Sequence, residues 1–326
     1  MKHVIHIFGA SGSGTTTLGR TLAADMGLVH MDTDDYYWLP TDPKFTARRP
    51  VDERLRLMNA DIDAAEKGVV ISGSLTGWGD ALIARFTHVI LLNTPTKVRL
   101  ERLRQREYAH FGERILEGGD MHENHLAFLD WAAQYDTGDV TMRSRACHDE
   151  WMQTLPCPQT IAPGDMPLHK LERCMKQSIF GIRPMTIADY DALRALWLST
   201  PGMGLNDLDD SREGIAKYLA RNPHTSFVAT ENGFDIIGAI MCGHDGRRGY
   251  IYHTCVRADR QGESIGRALV EAALDALQAE GIHKVALVAF ARNEQGNAFW
   301  EKLGFTTRED LVYRNRTLTE MVRIDT

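Results

Sequence analysis

The sequence predicts an α/β chain of two domains: a parallel sheet with helices on both faces, then a second domain of different pattern. Three observations carry this. The 326 residues exceed the size at which one hydrophobic core usually keeps growing. Strand and helix signals alternate through the first half. Beyond residue 180 that rhythm gives way to consecutive strand-like runs, so domains are drawn at 1–180 and 181–326.

Residues 3–8 form a short β-rich run, 15–26 a helix and 28–32 a second apolar run. Residues 69–72 and 88–92 are further buried-strand candidates, separated by helical stretches at 52–67 and 78–86. A parallel sheet of this kind binds ligands beyond the carboxyl ends of its strands. A polar, helix-rich insertion spans 95–153, and residues 157–161 read as the last strand of that sheet. Residues 167–178 are its closing helix, with proline placed near the start. The second domain opens with a strand at 181–184 and a helix at 188–199, followed by a loop rich in Gly and Asp. Strand-like runs at 226–230, 235–242 and 249–256 come next, the last two joined by the turn signal His244-Asp245-Gly246. No internal repeat links the halves.

Composition bounds the class. With 43% apolar and 25% charged residues the chain fits a folded globular protein. No run approaches the roughly 18 apolar residues that span a bilayer, so no membrane partner is expected. The start MKHVIHIFGASG runs into a glycine-rich turn instead of a cleavage site, and a cytoplasmic location is expected. A net charge of −7 argues against a nucleic-acid partner. The five cysteines form no CxxC pair and read as reduced thiols.

In the second half, the run at 249–256 leads into a glycine-containing loop that opens a helix, with apolar residues at 269, 270, 273, 274 and 277 forming one stripe. Such a loop aims backbone N–H groups and the positive helix end at one point, which suits a pyrophosphate. The loop reads Gln261-Gly262-Glu263-Ser264-Ile265-Gly266, and a second block follows a strand at 284–290, running from Asn293 through Trp300 to Phe305. Over residues 181–315 the chain resembles the GNAT superfamily of acetyltransferases, whose pyrophosphate motif is Q/R-x-x-G-x-G/A. The resemblance implies an α+β domain with a mixed, mostly antiparallel sheet. It also implies acetyl-CoA as acyl donor and direct attack by a substrate amine. A backbone N–H at Cys255 or Val256 would polarise the thioester carbonyl, residues Gln261 to Arg267 would hold the diphosphate, and Asn293 and Trp300 would line the coenzyme site.

The attacking amine must lose a proton. His253, Tyr250 and Tyr252 lie on the right strand and the sequence does not choose among them; an ordinary strand histidine is the plainer reading of His253. Two residues depart from the family pattern. Ser264 replaces the first motif glycine, and Trp300 stands where a tyrosine usually protonates the departing thiolate. Indole is a donor only and is no proton-transfer acid.

The first half carries Gly9-Ala10-Ser11-Gly12-Ser13-Gly14-Thr15-Thr16 between a strand and a helix, the setting of a phosphate-binding P-loop, with Thr15 in the usual lysine position. Asp32-Thr33-Asp34 follows the second strand, residues 71–74 end the third, and an arginine-rich insertion follows the fourth. That order resembles the adenylate kinase and shikimate kinase group. The resemblance implies ATP with Mg²⁺: Gly9, Ser11, Gly12, Ser13, Gly14, Thr15, Thr16 and Thr17 around the phosphates, Thr16 and Asp32 at the metal, and Asp34 activating an acceptor hydroxyl. Arg102, Arg106, Arg143 and Arg145 would be lid residues; a solvated helix face with i,i+4 pairing accounts for them equally. The missing lysine removes about 4 kcal/mol of attraction at about 4 Å and an effective dielectric of about 20, so nucleotide binding is better supported than phosphoryl transfer. A lid arginine is the natural replacement. His122 and His125 read as polar lid residues instead of metal ligands, and Trp78, Trp131, Trp151 and Trp197 as core or rim aromatics.

Together these readings give a bifunctional enzyme that acetylates a small amine or peptide amine and binds a nucleotide, with a homodimer as a further expectation. The alternative is a regulatory protein that senses nucleotide and coenzyme A with little chemistry, motivated by Thr15, Ser264 and Trp300. Asn206, Asp207, Asp209 and Asp210 either attract a cationic acceptor or form a solvated acidic turn.

Overall fold

Strand β1 (His3–Gly9) is buried along its whole length, as the central strand of a parallel sheet covered on both faces must be. The computed structural model describes residues 2–42, 44–231 and 233–324. Around β1 stand β2 (Val29–Asp32), β3 (Gly68–Ser72), β4 (His88–Asn93) and β5 (Gln159–Pro163), all parallel in the order β2-β3-β1-β4-β5. Their helices are α1 (Thr15–Met26), α2 (Thr33–Tyr37), α3 (Val51–Ala64), α4 (Thr96–Phe111), α5 (His122–Ala133), α6 (Arg145–Met152) and α7 (Leu168–Ile179). One core joins Phe8, Ile71, Val89 and Leu91 of the strands to Met58 and Ile62 of α3 and Trp151 of α6. The helical stretch expected at 78–86 is a 3-10 turn, Asp80–Arg85, and the fifth strand starts at Gln159 instead of residue 157.

By its contacts the chain divides into two compact units, Met1–Met175 and Lys176–Thr326, the division falling within α7. The second holds β6 (Arg183–Pro184), α8 (Tyr190–Leu198), β7 (Leu205–Asn206), α9 (Arg212–Arg221), β8 (Phe227–Glu231), β9 (Asp235–His244), β10 (Gly249–Val256), α10 (Ile265–Ala279), β11 (Val285–Leu287), α11 (Glu294–Lys302) and β12 (Arg323–Ile324). Its main sheet runs β11-β10-β9-β8-β6 and is antiparallel except for the β10–β11 pair, so it is mixed and mostly antiparallel. Helices cover both faces. A Cβ on Gly238 would stand 3.1 Å from Leu269 of α10, whereas the next residue, Ala239, packs with Trp197 of α8, Ile215 of α9 and Cys255.

Three expectations change in this unit. Residues 212–221, read as the end of a loop, form α9: its apolar side is thin, with Ile215 its one fully buried residue, and the start is fixed by Ser211, whose Oγ accepts from the Gly214 N–H. The strand expected at 284–290 keeps regular pairing only over β11, and Leu274 of the α10 stripe is only partly buried. Among the described residues no helix is long and apolar enough to cross a membrane.

Candidate functional site

Strand β10 outruns its neighbour. Its parallel register with β11 is Gly249↔Val285, Tyr250↔Ala286 and Ile251↔Leu287 and goes no further among the described residues, while on the other side β10 stays paired with β9 as far as Val256↔Gly238. One edge of residues 252–256 is therefore open. The Arg257 N–H donates to the Ile237 carbonyl at 2.8 Å, and antiparallel pairing alternates. Cys255 thus also faces β9, and of the two amides named from the sequence it is Val256 N–H that turns toward the open edge.

A β-bulge shifts the β9–β10 register between Ile251 and Thr254. On a flat strand successive side chains alternate; here Tyr252 meets the Tyr218 ring of α9 (centroids 5.5 Å apart) and His253 meets the Trp197 ring of α8 (5.2 Å). The bulge re-aims His253 onto the α8–α9 side. There its Nε2 lies 2.6 Å from Asp210 Oδ1, with the two side chains only 14% and 7% exposed. Asp210 is itself fixed: Oδ2 accepts from the Asn206 N–H at 2.7 Å and its carbonyl from the Tyr190 hydroxyl at 2.9 Å. No described residue bonds His253 Nδ1. With Nε2–H donated to the carboxylate, Nδ1 is the atom with a free lone pair. Tyr250 stacks obliquely on Tyr252 at 4.7 Å, and burial pushes both phenols up, so each keeps its proton at neutral pH and serves as a donor.

The loop after β10 has Gly262 at φ 78° and Ser264 at φ 66°, both left-handed, with Ser264 standing directly before α10. The serine thus adopts a conformation that a glycine would take at no cost. Arg260, 4% exposed, braces the loop: Nη1 donates to Glu231 Oε1 (2.5 Å) and Nη2 to Glu263 Oε2 (2.9 Å). Gln261 Nε2 reaches back to the Val256 carbonyl at 3.2 Å. Ile265 is buried, and a Cβ on Gly266 would come 3.3 Å from the Phe299 ring of α11, so the first turn of α10 sits close against that helix. Arg267 is half-buried. Asn293 caps α11 through Oδ1 and the Gly296 N–H (2.9 Å), and Trp300 packs between Phe299 and Phe305. Left-handed loop residues, a helix N-terminus and an open strand edge in succession fit a diphosphate joined to a thioester.

In the other unit β1 ends at Gly9 and α1 begins at Thr15, with Gly12 at φ 79° and Gly14 at φ 101° between them. A Cβ on Gly9 or Gly12 would lie 2.6 Å from the carbonyl of Leu92 or Arg99, so the loop has room for glycine alone at both. Thr16 Oγ1 donates to Asp32 Oδ2 at 3.0 Å, which brings the two metal-ligand candidates together. Thr15 and Ser11 are half-buried and Thr17 is exposed. Burial, then the Asp32 charge, pushes the Asp34 carboxyl above the usual range against the opposing pull of Arg143 and Arg106. Arg102 Nη1 donates to the carbonyls of Ser13 (3.3 Å) and Gly164 (3.0 Å), and Arg143 Nη2 to that of Gly9 (2.9 Å), so both lie against the loop instead of on a solvated face. Arg106 is the more exposed, 3.6 Å from Glu107, and Arg145 turns to Asn93 and Asp149. His122 bonds the Ile115 carbonyl, and no cluster of three metal-ligating side chains occurs among the described residues.

Comparison with known proteins matches both units. Residues 190–305 match the acetyltransferase (GNAT) family, and an acetyltransferase of Pectobacterium atrosepticum is 30% identical over 132 residues, 40% of this chain and 92% of its own. The chain belongs to the GNAT acetyltransferase family. Residues 5–124 match an AAA domain family. The uncharacterised protein YqaC of Bacillus subtilis is 46% identical over 158 residues, 48% of this chain and 86% of its own. Among solved structures, the PaiA N-acetyltransferase from Thermoplasma acidophilum in complex with coenzyme A is 18% identical, covers 39% of this chain and 90% of that one, and has a TM-score of 0.35.

Within this GNAT protein the loop 261–266 and the P-loop were named from the sequence, but Asp210 was met only as one acid of a turn. It lies 43 residues from His253, and only the β10 bulge and the course of the 200–211 segment bring them together. Arg260 likewise gave no signal beyond standing next to the motif.

Proposed function

We propose that the GNAT domain transfers an acetyl group from acetyl-CoA to a primary amine, with His253 as proton acceptor, and that the P-loop domain binds a nucleoside triphosphate with Mg²⁺. The observation that carries the first part is the open edge of β10 beyond Ile251, running straight into the left-handed loop before α10. Acetyl-CoA, when bound, supplies an activated thioester carbonyl. The chain does the rest. Amides of residues 262–267 and the α10 N-terminus hold the diphosphate, and Val256 N–H faces the edge where a carbonyl oxygen gains charge, the kind of donor that supplies the largest share of catalysis in acyl transfer. His253 Nδ1 takes the proton of the incoming amine while Asp210 holds the ring and stabilises its charged form. Trp300 gives the departing sulfur no acid, and a thiol with a pKa near about 8.5 leaves as thiolate without one.

Amine chemistry is supported by the family and by the His253–Asp210 pair, and the acceptor is a small amine or peptide amine. Thr16 and Asp32 would hold the metal ion of the nucleotide, leaving its other positions to phosphate oxygens and water. A thiol-release assay over a panel of primary amines tests the proposal. Turnover is expected with the wild-type chain, with His253→Gln lowering kcat/KM by about 10²- to 10⁴-fold. Coenzyme A binding without thiol release for any amine would favour a sensing protein instead.

A further inference from the structure

The P-loop lacks the lysine that normally meets the outer phosphates, and the residue in its place, Thr15, carries no charge. Something else must neutralise them if the nucleotide reading holds, and of the three arginines named from the sequence that bear on this, Arg102 and Arg143 contact the loop while Arg106 acts on Asp34. Arg102 spends Nη1 on two carbonyls, and Arg106 is largely exposed beside Glu107. Arg143 differs from both. It enters from the segment between α5 and α6, and Nη2 is pinned to the carbonyl of Gly9, the first glycine of the loop. Its Nε–H is buried and meets no acceptor among the described residues. A buried charged donor without a partner is rare in folded proteins and carries a full desolvation penalty. Arg143 borders a narrow recess with Ser11 of the loop, Trp131 and Tyr135, and the Asp34 carboxylate is close enough to act on its charge. Ser13 Oγ in the same loop is also buried without a partner.

We propose that Arg143 replaces the P-loop lysine, donating from its buried face to the terminal phosphoryl group of a nucleoside triphosphate. A guanidinium suits this exchange: its planar fork keeps one nitrogen on the Gly9 carbonyl while others meet phosphate oxygens. No bond is made or broken in this step; it is binding and charge neutralisation. The inference rests on the nucleotide reading given above. It also explains why Thr15 is tolerated: the charge comes from the insertion instead of from α1.

Isothermal titration of the full chain with Mg-ATP and Mg-ADP tests this. Wild type is expected to bind both. Arg143→Ala should weaken ATP by at least about tenfold and ADP by clearly less, because the contact is to the terminal group. Thr15→Lys in the Arg143→Ala background should recover most of the lost ATP affinity, which a merely misfolded variant would not do, and melting curves of each variant report folding separately. If the wild-type chain binds ATP and Arg143→Ala binds it equally well, the inference is overturned while the nucleotide reading stands. Equal losses for ATP and ADP, or no recovery with Thr15→Lys in a folded double variant, overturn it too. If the wild type binds neither nucleotide, the nucleotide reading falls and takes the inference with it.

Discussion

Ser264 holds φ 66° directly before α10, a region where a side chain strains the backbone by about 1–3 kcal/mol. Glycine would remove that strain but gains chain entropy when unfolded, about 0.4–1 kcal/mol in the opposite direction. Ser264→Gly should therefore stabilise the GNAT domain by between about 0 and 2.5 kcal/mol, with a melting rise of about 2–4 °C for each kcal/mol; a lower melting temperature would show that the hydroxyl contributes more than the strain costs. At this scale the sequence was readable where chemistry lies in neighbouring residues. The replacement of glycine by Ser264, of lysine by Thr15 and of tyrosine by Trp300 were all visible. The choice between Cys255 and Val256 was not, because it depends on which edge of β10 is paired. Nor was the contact that favours His253 over Tyr250 in the proposed role, the carboxylate of Asp210.

Among the elements, β1 and α6 share one buried histidine cluster, and β4 carries a further buried histidine, His88, on the opposite face of the sheet. His6 stacks on Phe8 and Phe86 and meets Trp151 edge-on, and His148 lies across Phe8 and bonds the Tyr135 hydroxyl. Burial pushes His6 down to about 4 and, with help from Arg143, His148 down to about 3; His88 is lowered to about 4, by burial first and His3 second. Folded-state values below the unfolded value of about 6.5 mean that the unfolded chain binds more protons in between. Stability is thus complete above about pH 6.5 and lost as pH falls toward 4, on the order of 3 kcal/mol for each fully buried ring at the lower limit. Urea unfolding of the chain followed by tryptophan emission should show the P-loop unit weakening steeply from pH 6.5 to 4.5; a flat profile there would contradict the burial of these rings. The strands that hold them were legible as apolar runs, and α1 was found to the residue because Gly14 and Gly27 bracket it. Helix α9 was missed because its few apolar residues fall among charges, and β11 was read too long because Val288 and Phe290 continue its apolar run while remaining exposed.

For the molecule as a whole, the division into two compact units, each with its own core and a strand–loop–helix turn, predicts two separate ligand sites. Both loops follow a strand and open a helix, the one arrangement that gathers unpaired N–H groups at a point, which is why both were legible in the order of the residues alone. The acceptor was not, since side chains from several elements form its surroundings. Linkage makes the division measurable: a ligand at about 100 times its Kd adds about 2.7 kcal/mol to the unit that binds it. In calorimetry, acetyl-CoA should raise the transition of the GNAT domain and Mg-ATP that of the P-loop unit; a single transition raised equally by either would contradict independent cores. The most direct test concerns the grip of residues 260–267 on a diphosphate beside β10. Isothermal titration should compare acetyl-CoA with S-acetyl-pantetheine, which keeps the thioester and lacks the diphosphate. Two charge-assisted hydrogen bonds of about 1.5–3 kcal/mol each predict that acetyl-CoA binds at least about a hundredfold tighter. Equal affinity for the two, or no heat from acetyl-CoA at millimolar concentration, would contradict it.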